Sequence, residues 1–118
     1  MKQQLTKKQS RSLIELGIPV KRATGSILDD SQIFCPVFTI GDLLGILPTT
    51  IEIRYYITFV WCDEEKVWCT SYDKVKKSGR MYIMVHFENA ELIDALFDLA
   101  VWCIENGYII PETITITD

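Results

Sequence analysis

The hydrophobic and polar positions of this chain change period several times, and each change marks an element. The plainest stretch runs from Ile51 to Cys62. There Ile51, Ile53, Tyr55, Ile57, Phe59 and Trp61 alternate with Glu52, Arg54, Tyr56, Thr58, Val60 and Cys62. A period of two with one apolar side predicts a half-buried antiparallel strand. Asp63-Glu64-Glu65-Lys66 then reverses the chain. If the turn centres between Glu64 and Glu65, Trp61 faces Trp68 and Phe59 faces Thr70 on the core side, while Val60 faces Cys69 on the other. An aromatic cross-strand pair contributes up to about 1 kcal/mol and helps to pin that register. Beyond the basic loop Lys74 to Arg80, Met81 to Phe87 predicts a third strand. Met81, Ile83, Val85 and Phe87 are expected inward, and Tyr82, Met84 and His86 outward.

Helical signals flank these strands. A first helix is expected from about Thr6 to Leu16, because Gly17 suits the left-handed position after a helix and Pro19 bars continuation. Thr39 and Asp42 have the spacing of a capping box, Phe38 and Leu43 that of a hydrophobic staple, and Pro48 stops a short helix carrying Leu43, Leu44, Ile46 and Leu47. A long final helix is expected from Asn89 as N-cap to about Glu105, with Gly107 beyond it. Its acids Glu91, Asp94, Asp98 and Glu105 share one narrow stripe, and the rest, from Leu92 to Ile104, is apolar. One sheet covers about half of such a helix. A second cover is therefore required, either the first two helices or a partner subunit.

Residues 19–37 lack a clear period. Gly25, Ser26, Asp29, Asp30 and Ser31 suggest a loop, and Ile33, Phe34, Val37 and Phe38 suggest that part of it packs as an extended strap. After the last helix, Tyr108-Ile109-Ile110 and Thr113 to Thr117 alternate like a short edge strand, where Pro111 is tolerated. The fold expected is α+β: an antiparallel sheet of three to four strands, a long C-terminal apolar helix and two short N-terminal helices. It forms a single domain over residues 1–118, with 1–5 and 111–118 as its flexible ends.

Composition narrows the class. With 118 residues, 48% apolar and 24% charged, the chain has the make-up of one ordinary globular domain. The net charge of −4 provides no overall field for nucleic acid. Six of the twelve Lys and Arg fall within residues 1–22, opposed there by Glu15 alone. This basic segment either touches an acidic partner or lies on the chain's own acidic face. Met1 to Ser10 has no apolar secretory core, and no run approaches the ~20 apolar residues that span a bilayer. A cytoplasmic protein is expected, with no membrane contact and with its four cysteines Cys35, Cys62, Cys69 and Cys103 reduced.

Candidate chemistry is sparse. The lone histidine, His86, lies beside Glu88 on the outward side of the third strand, and no local motif pairs it with a nucleophile. The cysteine spacings contain no C-x-x-C, so no zinc site is expected, although Cys62 and Cys69 fall on one sheet face without being directly opposite. Asp29-Asp30 and Asp63-Glu64-Glu65 read as solvated loop carboxylates without calcium-loop spacing. The glycines form neither a phosphate loop nor a dinucleotide fingerprint. No catalytic residue, metal ligand or cofactor is assigned.

Ser12-Leu13-Ile14-Glu15-Leu16-Gly17, Phe38-Thr39 with Asp42-Leu43-Leu44 and Leu47-Pro48, and Glu91-Leu92-Ile93-Asp94-Ala95-Leu96 with Trp102-Cys103-Ile104-Glu105 together span most of the chain. In these the chain resembles a group of small uncharacterised proteins of gut anaerobes and their prophages. The resemblance implies a mobile-element accessory protein and carries over no functional residue.

The function expected is that of a non-catalytic protein-interaction or accessory protein, binding a protein partner or a second copy of itself. Phe97, Val101, Trp102, Tyr56 and Tyr82 are the candidate surface. The alternatives are a small-ligand or enzymatic site near His86, and weak nucleic-acid binding through the basic first segment.

Overall fold

The structure is a computed structural model that describes residues 1–110. Its first helix, α1 (Lys7–Glu15), begins in a capping box. The Thr6 hydroxyl accepts from the Gln9 N–H, and the Gln9 side chain accepts from the Thr6 N–H. It ends as expected: Gly17 takes a φ of 109°, its N–H donates to Ile14, and the Ile18 N–H donates to Leu13. This closure ties off two carbonyls left over at the helix end and buries Leu13 against Ile18. Just before the helix, Leu5 is fully buried and its N–H donates to the Phe38 carbonyl.

The aperiodic stretch 19–37 is more ordered than the strap expected from sequence. After a 3₁₀ turn at Val20–Arg22 it forms a hairpin of β1 (Gly25–Leu28) and β2 (Phe34–Val37), from Gly25 opposite Val37 to Leu28 opposite Phe34. Asp29 makes the reversal, accepting the N–H groups of Ser31 and Ile33. The bond from Ile33, foremost among these contacts, helps hold its carboxyl below the usual range. The reversal is driven by one side chain, so no periodicity announced it.

Helix α2 (Ile40–Ile46) starts in the expected box between Thr39 and Asp42. Partial burial raises the pKa of Asp42, but bonds from Thr24 and Thr39 outweigh it and the net shift is downward.

The main sheet is antiparallel, in the order β3 (Thr50–Ile51), β4 (Tyr55–Cys62), β5 (Val67–Val75), β6 (Met81–Asn89). The single strand expected from Ile51 to Cys62 is corrected here. Glu52 and Ile53 adopt φ values of 49° and 69°, the chain reverses, and Thr50 and Ile51 pair back onto Tyr56 and Tyr55. Ile53 lies at the tip, 87% exposed, not in the core. The Tyr108 hydroxyl donates to Glu52 and holds this turn in place. The β4–β5 register is the one expected: Trp61 faces Trp68, Phe59 faces Thr70 and Val60 faces Cys69. The two indoles lie 5.7 Å apart at 57°.

A second correction concerns β6. Tyr72 faces Val85 but Asp73 faces Ile83, so Met84 is an extra residue with no opposite number. Such a bulge inverts the alternation beyond it. Val85 and Phe87 point inward as expected, whereas Met81 and Ile83 move to the outer side and Tyr82 to the inner.

Helix α3 (Leu92–Glu105) has Glu91, not Asn89, at its N-cap; Asn89 instead accepts the Glu91 N–H in the turn before it. Gly107, at φ 79°, ends the helix with the Tyr108 N–H bonded to the Cys103 carbonyl. The helix packs on β5 and β6 and against α2, with Leu92, Ile93, Leu96, Leu99 and Cys103 among its buried residues, so α2 provides a second cover. Phe97, Val101 and Trp102 are half-buried, with Trp102 stacked on Tyr108 at 5.3 Å. The thinnest dimension, 18 Å, fits one helical layer on one sheet. Residues 108–110 form no strand, and the expected pairing of Thr113 to Thr117 lies outside the described residues. Among the described residues no helix is long and apolar enough to cross a membrane.

Candidate functional site

Alternation sorts the sheet into two faces. On the inner face the cross-strand rows are Trp61–Trp68–Asn89, Phe59–Thr70–Phe87 and Ile57–Tyr72–Val85, followed by Lys74 opposite Tyr82 with its amine 5.0 Å from the Tyr55 ring. On the outer face they are Val60–Cys69–Glu88, Thr58–Ser71–His86 and Tyr56–Asp73–Ile83, ending in Val75 opposite Met81. Among the described residues the helix α3 packs on the inner side, where Thr70 bonds to the Ala95 carbonyl. Tyr56, Val60, Val75, Met81 and Ile83 are accordingly 51–65% exposed. Patches of this kind mark contact surfaces more often than scattered apolar residues do. The polar groups between them bond sideways: the hydroxyls of Thr58 and Ser71 each donate to Asp73 at 3.0 Å.

The hairpin-turn end of this face has a different chemistry. Cys62 and Cys69 are diagonal neighbours, and their sulfurs lie 2.9 Å apart. One row across, His86 Nε2 is 3.5 Å from Glu88 Oε1. The donor atoms of Cys69, His86 and Glu88 all fall within 4.8 Å of one another. The Cys69 thiol is pushed up to about 11, first by its bond with Cys62, then by burial and by the charges of Glu88 and Glu65.

The candidate residues named from sequence do not form one surface. Tyr56 stands on the open face. Tyr82 lies on the inner face because of the bulge, with the amines of Lys76 and Lys74 at 4.5 and 5.7 Å from its ring. Phe97, Val101 and Trp102 belong to the helix layer. The basic first segment meets the chain's own carboxylates: Lys2 Nζ is 2.9 Å from Asp94, and Lys7 Nζ is 3.7 Å from Asp29. At the uncovered edge of the inner face, Phe59 and Trp61 remain 42% and 40% exposed. There Met1, Trp61, Trp68, Ala90 and Glu91 line an open groove of about 480 Å³.

Sequence reasoning placed Cys62, Cys69, His86 and Glu88 outward but did not bring them together. The β4–β5 register alone gives the thiol diagonal. Joining it to His86 and Glu88 requires the β5–β6 register, which the loop Lys76–Arg80 leaves undetermined. No protein family, curated protein or solved structure matches this chain.

Proposed function

We propose that the protein is a non-catalytic interaction module that pairs with a second copy of itself through the outer face of its four-stranded sheet. The observation that carries this reading is the exposure of Tyr56, Val60, Val75, Met81 and Ile83 on the face opposite α3, among the described residues. Two antiparallel sheet faces pack about 10 Å apart with strands nearly aligned, and a two-fold axis makes one patch complementary to itself. Strands of eight or nine residues at about 3.3 Å per residue and about 4.8 Å spacing give a face of about 28 by 14 Å. Two copies then bury on the order of 1,000 Å², the lower end for a specific interface. Association in the micromolar range follows, because area of that size leaves little surplus over the cost of docking.

The absence of Lys and Arg from these outer rows favours a protein surface over nucleic acid as the occupant. We assign the action to the cytoplasm, in an accessory role of the mobile-element kind that the resemblance implies. Sedimentation velocity across a concentration series tests the reading. The wild type is expected to shift from monomer to dimer over the micromolar range, and Ile83→Lys to stay monomeric. A wild type that remains monomeric at millimolar concentration overturns it.

A further inference from the structure

We propose that Cys62, Cys69, His86 and Glu88 form a binding site for a thiophilic divalent metal ion of the zinc class on the outer face of the sheet. The cluster shares the outer face with the proposed dimer patch, Val60 lying in the row of Cys69 and Glu88, and the Ile83→Lys variant tells the two readings apart.

The donor set is the first argument. Two thiols, one imidazole and one carboxylate match the ligands of zinc-class ions, with sulfur and nitrogen disfavouring calcium and magnesium. Such a set is usually gathered by C-x-x-C spacing; here three antiparallel strands gather it, with Glu88 directly opposite Cys69 and Cys62 and His86 on its diagonals.

Distance is the second. In a tetrahedral site with metal–sulfur bonds of about 2.3 Å and metal–nitrogen or –oxygen bonds of about 2.0 Å, neighbouring donors lie about 3.3–3.8 Å apart. His86 Nε2 and Glu88 Oε1 already stand at 3.5 Å. The mutual separations within Cys69, His86 and Glu88, all under 4.8 Å, close on a common centre with small side-chain rotations. The sulfurs, at 2.9 Å, have to part by about 1 Å, and an ion between them does that as each thiol surrenders its proton to solvent.

A disulfide is the competing fate of two close thiols. At 2.9 Å the sulfurs stand about 0.9 Å beyond a disulfide bond and about 0.9 Å short of the spacing of two thiolates on one tetrahedral ion, so redox state decides between the two and the metal site belongs to the reduced chain. The exposure of His86 and Glu88 leaves an entry path from solvent.

Cobalt(II), added to the full chain purified under a non-thiol reductant, reads the site through its thiolate charge-transfer band and its visible tetrahedral bands. One cobalt per chain is expected, displaced by zinc. Cys69→Ser should abolish the charge-transfer band or weaken binding by about 100-fold or more, since even outer-shell partners are worth about 10–100-fold. Cys62→Ser should halve the band, and His86→Ala should weaken binding while keeping it. Cys35→Ser, on the separate hairpin, and Ile83→Lys, which breaks the proposed dimer, should both bind as the wild type does. Absence of the band in the reduced wild type overturns the proposal. So does a band unchanged in Cys69→Ser, a cobalt affinity unchanged in His86→Ala, or a chain isolated two mass units light as a Cys62–Cys69 disulfide that takes up no cobalt after reduction. Circular dichroism confirms that each surface variant is folded.

Discussion

The two faces of the four-stranded sheet come from the same strands and the same alternation, yet they satisfy their polar groups in opposite ways. On the inner face Thr70 and Tyr72 are fully buried, and each bonds vertically into a covering layer: Thr70 to the Ala95 carbonyl of α3 at 3.0 Å, Tyr72 to the Pro48 carbonyl at 2.7 Å. Burial also drives the Tyr72 hydroxyl upward, so it remains a donor. On the outer face Thr58 and Ser71 bond sideways to Asp73 within the sheet. A face that needs a cover to complete its bonds specifies that cover. One that completes them laterally leaves its apolar side chains free to meet a separate molecule without stranding a buried polar group.

The contrast can be broken in order of expected effect. Leu96→Ala, which removes a fully buried side chain between α3 and the sheet, should cost about 2–5 kcal/mol in urea unfolding. A loss under about 1 kcal/mol would mean that the inner layer is loosely packed. Tyr72→Phe keeps the ring but orphans the Pro48 carbonyl, and about 1 kcal/mol should be lost. A double-mutant cycle on Trp61 and Trp68 should give a coupling of about 0.5–1 kcal/mol. Ile83→Ser should change monomer stability by less than about 0.5 kcal/mol while removing the dimer. Equal destabilisation by Leu96→Ala and Ile83→Ser would erase the distinction between the faces.

Much of the architecture was legible in the chain because it is encoded locally. Thr39 and Asp42 announce α2, Gly17 and Gly107 close their helices with positive φ, and the four polar residues after Cys62 set the Trp61–Trp68 register. The failures share a cause: each depends on one residue acting at a distance or out of period. Asp29 builds a hairpin where no alternation is present. Glu52, held by Tyr108 from the far end of the chain, breaks a strand whose pattern runs on without interruption. The candidate site was readable only in halves. Strand parity places each donor outward, whereas their meeting depends on a register fixed by packing beneath α3.

Met84 has a wider meaning than a local irregularity. It works as a phase shifter, letting one strand serve two clients: Val85 and Phe87 are committed to the helices, Ile83 and Met81 to whatever lies opposite. Were Met84 instead paired with Asp73 in an unbroken ladder, Ile83 would turn beneath the helices and Tyr82 would stand in water. One bulge thus separates a sheet with a greasy exterior from one that keeps its grease to itself.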